Sequence, residues 1–345
     1  MTYGYAGKIL HVDLTTRRVE FEEPPESLYR TYLGGSALGL YYLLKNTPAG
    51  ADPYGPANTL AFMLSGITGA PIAGQSRATV VGKSPITGGV GDSQAGGFWP
   101  AELKFAGFDG IVVRGASSRP VYLWITNGEA ELRPADHIWG MTTREVEEVL
   151  KTDHEDQRIQ IAQIGPAGEK LVRFAAIMNM ATRAHGRTGM GAVMGSKQLK
   201  AIVVRGAKKK IPMADPQGLR EIMQPSIPLI REDEDVWDLA KHGTLGILES
   251  QTGLLDDAVA TFDRGLELHP GDLNLLRWKI QVLADQDRWE EVRRVSEILA
   301  PLGDADSLVG RLAAGLVLGE NGVDPLVDAW FTLETASSVL PTDGS

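Results

Sequence analysis

The 345-residue sequence contains no cysteine. A chain without cysteine has no thiolate with which to form a disulfide, ligate zinc through sulfur, hold an iron–sulfur cluster or attack a substrate. Any redox chemistry in this chain therefore depends on a cofactor held by other atoms, or on a second chain.

Long apolar runs are also missing. No stretch of about 18 consecutive apolar residues occurs, so we predict no membrane span. The opening residues, MTYGYAGKILHVDL, contain no basic segment followed by an apolar core. We therefore expect no signal peptide and a cytoplasmic location.

Basic residues are scarce toward the C-terminal end. From Leu255 onward there are 7 Lys and Arg against 17 Asp and Glu, whereas residues 1–254 contain 27 of each. Glycine is equally uneven, with 32 of the 40 before residue 255. Two compositions in one chain predict two architectures. A balanced part and an acidic part both argue against nucleic acid as a partner, because its phosphates need a positive surface.

The first 210 residues consist of short apolar segments separated by turn residues. GKILHVDL and RVEFEE predict an opening hairpin, residues 26–45 predict a helix interrupted by glycines, and TTREVEEVLK predicts a short helix capped by threonine. Further strands are predicted at TLAFMLSG, RATVVGKS, GIVVRG, PVYLWITNG, RIQIAQIG, KLVRFAAIM and AIVVRG. Many strands with few, short helices predict the α+β class with a large sheet component.

The remainder of the chain differs in pattern. Residues 211–254 mix prolines with the acidic run REDED and predict a linker. Residues 255–340 have helical periodicity, and Ala258, Phe262 and Pro270 fit the Ala-x-x-x-Phe…Pro pattern of a tetratricopeptide repeat. We therefore predict an all-α, tetratricopeptide-like helical-repeat domain, an architecture that usually binds a protein partner.

Two segments combine glycine with positive charge beside predicted strands. Residues 74–98 are GQSRATVVGKSPITGGVGDSQAGGF, and residues 183–200 are RAHGRTGMGAVMGSKQLK. Glycine lets backbone N–H groups approach a ligand closely, and arginine adds a permanently charged donor fork suited to phosphate. The two segments predict one phosphate-bearing cofactor held by two loops. The alternative is that the glycines make tight turns and the arginines are surface charge.

Common nucleotide-binding signatures do not account for these segments. No G-x-G-x-x-G opens a helix at the spacing that a dinucleotide-binding unit requires. GAVMGSK matches a Walker loop only loosely, because Gly191 and Gly195 are too close together and no helix is predicted after it.

Residues 1–210 resemble the N-terminal domain of the tungsten-dependent aldehyde:ferredoxin oxidoreductase family. The resemblance runs through GKILHVDLTT, VGKSPITG, GGFWPAELKFAGFDGIVV, IGPAGEKLVRFAAIMN and RAHGRTGMGAVMGSKQLKAI. It implies a paired-sheet domain under a bis-pterin cofactor that carries tungsten, or molybdenum in some relatives. The pterin phosphates are bridged by magnesium in that family.

The resemblance also implies roles for particular residues. Arg77 matches an arginine that contacts a pterin phosphate, and Arg183 matches the arginine at the second phosphate. The backbone carbonyls of Gln94 and Ala184 match the contacts to magnesium. The candidate cofactor-binding residues are Arg77, Gln94, Ala95, Gly96, Gly97, Arg183, Ala184, His185, Gly186 and Arg187.

The chain departs from the family at several points. Gln94 stands where the family has asparagine, and Ser36-Ala37 stands where relatives commonly have Arg-Gly. The family holds a [4Fe–4S] cluster with four cysteines of its second and third domains, so we expect no iron–sulfur cluster in this chain. The resemblance ends near residue 254.

The resemblance implies a redox protein. The family reaction converts an aldehyde and water to a carboxylic acid, with electrons leaving through the iron–sulfur cluster. We expect this chain alone to be incomplete for that reaction and to act as a homodimer or with a catalytic or iron–sulfur subunit. Two alternatives stay open: a non-catalytic scaffold that recruits a partner through the acidic repeats, and a truncated or fused reading frame.

Overall fold

The computed structural model describes residues 3–207, 211–233, 236, 255–268, 270–271, 275–276, 279–280, 282–283 and 288–299. The chain divides into two compact units, Met1–Met223 and Gln224–Ser345. No helix in this described part is both long enough and apolar enough to cross a membrane.

The first unit is built on two six-stranded sheets. The strands are β1 (Ile9–Asp13), β2 (Arg18–Glu22), β3 (Leu60–Met63), β4 (Ala78–Lys83), β5 (Val90–Ala95), β6 (Gly110–Arg114), β7 (Val121–Thr126), β8 (Glu129–Pro134), β9 (Gln160–Gln163), β10 (Ile177–Asn179), β11 (Arg183–His185) and β12 (Leu199–Arg205). The strand order is β2-β1-β6-β3-β4-β5 in the first sheet and β11-β10-β9-β12-β7-β8 in the second.

Short helices connect and cover the sheets. They are α1 (Glu26–Tyr32), α2 (Gly35–Asn46), α3 (Trp99–Phe105), α4 (Thr143–Asp153), α5 (Pro166–Glu169) and α6 (Met190–Ser196). A longer helix, α7 (Pro216–Glu232), lies across the boundary between the units, and none of its residues is buried. It occupies the first part of the predicted linker.

The two sheets and helices α3 and α6 share one apolar core. Alternate residues of the central strands point into it, among them Phe62 in β3 and Ile202 in β12. The opposite faces are also covered, by α1 and α2 on the first sheet and by α4 on the second. Because both faces are buried, the central strands are continuous apolar runs such as AIVV.

The predicted α+β architecture of the N-terminal part is confirmed by these sheets. The opening hairpin is confirmed as β1 and β2, which pair antiparallel. The threonine-capped helix is α4, in which Thr142 and Glu145 form a reciprocal capping box. The predicted helix over 26–45 is divided into α1 and α2, because Leu33 and Gly34 both adopt positive φ.

Other sequence predictions were wrong. KLVRFAAIM forms a strand only at its end, because Leu171 has positive φ and Leu171 N donates to Gly168 O in a turn. Strands β5, β8 and β11 were not predicted. VGDSQA and RAH lack the apolar alternation that identifies a strand, whereas EAELRP has it, with Ala130 and Leu132 on one face, and was overlooked.

The second unit is helical where it is described. Helices α8 (Leu255–Leu268) and α9 (Trp289–Leu299) begin 34 residues apart. Phe262 in α8 and Val292 in α9 belong to one cluster of buried apolar residues that also includes Leu276 and Leu283. The tetratricopeptide-like assignment stays a prediction, since all of 300–340 and parts of 255–299 lie outside the described residues.

Candidate cofactor-binding site

The two sheets meet along both pairs of edges, β2 with β8 and β5 with β11, and the candidate residues lie at the second pair. Strand β5 is the last strand of the first sheet, β11 is the last strand of the second, and the two are in contact. Ser93 in β5 joins them, because its carbonyl oxygen lies 2.9 Å from Nδ1 of His185 and its Oγ accepts from the Arg187 N–H at 3.0 Å. The second glycine–arginine segment is thus attached to the first.

A buried amide links the same two segments a second time. Nδ2 of Asn179 lies 3.0 Å from the Gly96 carbonyl oxygen and 3.5 Å from the Arg183 carbonyl oxygen. One nitrogen atom therefore reaches the backbone of both segments, which makes them immediate neighbours.

Arg77 belongs to the same neighbourhood. It directly precedes β4, whose first residue, Ala78, pairs with Ala95. The hydroxyl of Ser76 donates to the carbonyl oxygen of Gly97. The sequence-predicted residues 77, 94–97 and 183–187 consequently lie together along the β5–β11 edge.

The arginines on this surface carry uncompensated charge. Arg77, Arg183 and Arg187 are all exposed, and none forms a salt bridge with another residue that the structure describes. Asp92, the acidic residue of β5, is half-buried and forms no salt bridge with these three arginines. Exposed guanidinium groups without carboxylate partners are suited to an anion such as phosphate.

The remaining candidates provide mainly backbone. Gln94, Ala184 and Gly186 are exposed, Gly96 is half-buried, and Ala95 is buried. Among the residues that the structure describes, no group of three or more His, Cys, Asp or Glu side chains could hold a metal ion. A magnesium ion at this edge would therefore depend on backbone carbonyl and phosphate oxygens, which are ligands that it accepts.

His185 has a different environment from the one expected for a direct phosphate donor. The side chain is completely buried, and this burial lowers the pKa of the imidazole to about 4. Since the Ser93 carbonyl can only accept, Nδ1 carries the proton, and Nε2 is a buried acceptor with no partner in the described structure. The imidazole is therefore neutral near pH 7. It bonds the second segment to β5 and adds no positive charge to the candidate site.

Most glycines of the second segment serve packing. A Cβ atom at Gly189, Gly191 or Gly195 would overlap backbone oxygen atoms of residues 168–176. Gly191 and Gly195 lie inside α6, which is almost entirely buried. No helix follows GAVMGSK, because strand β12 begins at Leu199. The segment itself forms the buried helix α6, so its backbone is not accessible to a phosphate as a Walker loop requires.

Two further residues lie away from the site. Lys83 is at the opposite end of β4 from Arg77, and its Nζ donates to the Ala51 carbonyl oxygen at 2.5 Å. Trp99 is a core residue, since it is fully buried and its Nε1 donates to the Ile202 carbonyl oxygen at 3.0 Å.

Sequence reasoning missed Asn179 and Ser93. Both are buried polar residues in short strands. Neither is a glycine or a cation, so a search for phosphate-binding residues passes over them.

The fold and the site together define an α+β domain with exposed arginines where two sheet edges meet. A family model described as "Aldehyde ferredoxin oxidoreductase, N-terminal domain" matches residues 9–206. The chain belongs to this family.

Archaeal relatives agree with this membership. The chain is 45% identical over 243 residues to the tungsten-containing aldehyde ferredoxin oxidoreductase of Thermococcus kodakarensis, a match that covers 70% of this chain and 40% of the relative. It is 39% identical over 220 residues to the "Aliphatic sulfonate oxidoreductase, WOR-like subunit" of Pyrococcus furiosus, covering 59% of this chain and 35% of that protein. The chain thus spans about 40% of the length of the tungsten-containing relative.

A solved structure shares the fold. It is the active site complex BamBC of benzoyl coenzyme A reductase in complex with 1,5-dienoyl-CoA, with a TM-score of 0.66 and 37% sequence identity. The similarity covers 68% of this chain and 36% of the chain in that complex.

Proposed function

We propose that the N-terminal unit binds a tungsten or molybdenum bis-pterin cofactor through its phosphates and is the cofactor-holding part of an aldehyde-oxidising enzyme. The observation that carries this proposal is the contact of β5 with β11, which brings the backbone of three exposed arginines, Arg77, Arg183 and Arg187, to one edge of the domain. The similarity to tungsten-containing aldehyde ferredoxin oxidoreductases supports tungsten as the metal.

The residues of this chain have defined tasks in the proposal. Arg77 and Arg183 would each neutralise a pterin phosphate, and the backbone carbonyls of Gln94 and Ala184 would be available as ligands of a magnesium ion. Since a carbonyl ligand belongs to the backbone, glutamine in place of the family's asparagine at position 94 preserves it. When bound, the cofactor would supply the two-electron chemistry of aldehyde oxidation.

We propose that a partner subunit completes the enzyme. This chain has no cysteine with which to hold an iron–sulfur cluster, so the electrons would pass to a cluster on another chain. The names of two similar proteins, a WOR-like subunit and an active site complex, support an assembly of subunits. The isolated chain is then expected to oxidise no aldehyde with a viologen acceptor.

The experiment is cofactor analysis of the purified full chain from a host that makes the pterin and is supplied with tungstate. We expect tungsten by plasma mass spectrometry and pterin by fluorescence after oxidation. Arg77→Glu with Arg183→Glu should abolish both signals, because the phosphates would meet negative charge.

Arg144→Glu is the matched control, because Arg144 is an exposed arginine on α4 whose nearest charged partner is Glu148 at 3.8 Å. It should retain both signals. Absence of pterin and metal from the wild-type chain, or equal retention by the Arg77/Arg183 variant, would contradict the proposed function.

A further inference from the structure

Asn179 is fixed against both halves of the candidate site. It is the last residue of β10 and is completely buried. The Gly96 and Arg183 carbonyl oxygens can only accept, so the nitrogen of the amide must be the atom that faces them. An amide nitrogen carries two hydrogens, which suffices for one bond to each segment.

The opposite side of the amide is equally constrained. Oδ1 of Asn179 is buried and has no hydrogen-bond partner in the described structure. A Cβ atom at Gly97 would overlap this oxygen, and Gly97 has a φ of +104°. The backbone at Gly97 therefore lies closer to the amide than any residue with a side chain allows.

We propose that Asn179 is a positioning residue that sets the separation between residues 94–97 and 183–187, and through it the spacing of the two phosphate contacts. This inference rests on the proposed function. A single nitrogen atom that bonds both backbones holds them at one distance, so that Arg77 and Arg183 can meet the two phosphates of one cofactor. Alanine at 179 removes both bonds, and aspartate replaces the donor with a negative acceptor that repels both carbonyls.

Two substitutions and two measurements test the proposal. Asn179→Ala and Asn179→Asp are made in the full chain and purified from the tungstate-supplied host. Tungsten and pterin per chain are measured, and the thermal midpoint is measured on protein grown without tungstate. We expect both variants to retain about 10- to 100-fold less tungsten and pterin than wild type at a temperature where they are folded, the range seen when residues that orient ligands are removed.

Val146→Ala is the control for a purely structural effect. Val146 is buried in α4 and packs in the cluster on the outer face of the second sheet, away from β5 and β11. It should lower the thermal midpoint at least as much as Asn179→Ala and still retain the wild-type level of cofactor. Equal loss of cofactor in this control would show that retention follows stability, and the positioning role would be overturned.

A double-mutant cycle tests the geometry without any cofactor. Because Gly97→Ala introduces an overlap with the Asn179 amide, its effect on the thermal midpoint should be clearly smaller in the Asn179→Ala background than in wild type. Additive midpoint changes would contradict the proposed contact.

The outcomes separate this inference from the function on which it rests. Wild-type retention of cofactor by Asn179→Ala, together with loss in the Arg77/Arg183 variant, overturns the role of Asn179 alone. Absence of cofactor from the wild-type chain overturns both.

Discussion

At the scale of single residues, Lys197 is a buried cation. Its Nζ donates to the Gly115 carbonyl oxygen at 3.0 Å, and the side chain is fully buried. Burial lowers the pKa of Lys197 to about 8, an effect that the charge of Asp13 opposes only in part. The protonated lysine therefore costs the folded state free energy at neutral pH.

We predict that this cost disappears at alkaline pH. Between pH 8 and 10.5 the folded chain has released the Lys197 proton while the unfolded chain still holds it. Because the unfolded state binds more protons, this group makes the free energy of unfolding rise with pH across that window, by at most about 3 kcal/mol.

Urea unfolding of wild type and Lys197→Met at several pH values measures the effect. Other lysines contribute equally to both proteins, so the difference between the two curves isolates position 197. The variant leaves the Gly115 carbonyl unpaired at every pH, which shifts its curve without changing the slope. Parallel curves between pH 8 and 10.5 would show that Lys197 titrates normally.

Gly97 and Gly107 form a matched pair for a second prediction. Their φ values are +104° and +101°, but an added Cβ at Gly107 meets nothing closer than Gly128 Cα at 3.9 Å. Gly107→Ala should cost roughly 1–2 kcal/mol of stability from backbone strain alone. Gly97→Ala should cost more, because it also displaces Asn179. Equal losses in denaturant unfolding would refute the close approach.

The sequence pointed to the exposed arginines of the candidate site and not to the buried residues that join its two segments. Glycine beside arginine drew attention to both segments, and the family resemblance then singled out Arg77 and Arg183, which are both exposed. His185 was a candidate for direct contact with a phosphate but is completely buried, and nothing in a local pattern distinguishes a buried loop histidine from an exposed one. Asn179 was missed because its partners are distant backbone carbonyls.

At the scale of elements, the β10–β11 hairpin contains a strained turn. Met180 and Ala181 have φ values of +52° and +51°. The Met180 sulfur accepts a hydrogen bond from the Phe98 N–H at 3.2 Å, so Met180 makes a contact that depends on its side chain. Ala181 has no such contact among the described hydrogen bonds.

We predict that Ala181→Gly stabilises the chain by about 0.5–1 kcal/mol, because relief of left-handed strain exceeds the added entropy of the unfolded state. Thermal unfolding monitored by circular dichroism measures it. Ala101→Gly in α3, where the backbone is helical, is the control and should destabilise by about 1 kcal/mol. A lower midpoint for Ala181→Gly would mean that the turn is not strained.

Elements with a buried face were predictable, whereas β5 and β11, the edge strands at the candidate site, were not. Strand β12 and helix α4 have strong patterns because the core demands them. Strands β5 and β11 form the edge at the candidate site, and their polar residues are suited to contacts between the two sheets. Such contacts join residues that are far apart in the sequence, so no local sequence pattern reveals these strands.

At the scale of the whole molecule, the N-terminal unit has its own core, and its first residues bond to the segment that follows its last strand. Gly4 N donates to the Pro212 carbonyl oxygen at 2.6 Å, and Ile211 is buried. We predict that a fragment of residues 1–214 unfolds cooperatively, with a midpoint within a few degrees of the first transition of the full chain.

Calorimetry of the fragment measures this midpoint. A shorter fragment that ends at residue 206 lacks Ile211 and Pro212, and we expect it to unfold at a lower temperature. Aggregation or non-cooperative unfolding of the 1–214 fragment would show that the unit needs the rest of the chain.

The junction of β5 with β11 has a consequence for how a bound anion leaves. The two strands are the last strands of different sheets, so a ligand that bridges them would hold the two sheets together. The ligand would then dissociate only when β5 and β11 separate. The part of the empty protein that unfolds first should therefore be the part that bound ligand protects most against heat and proteolysis.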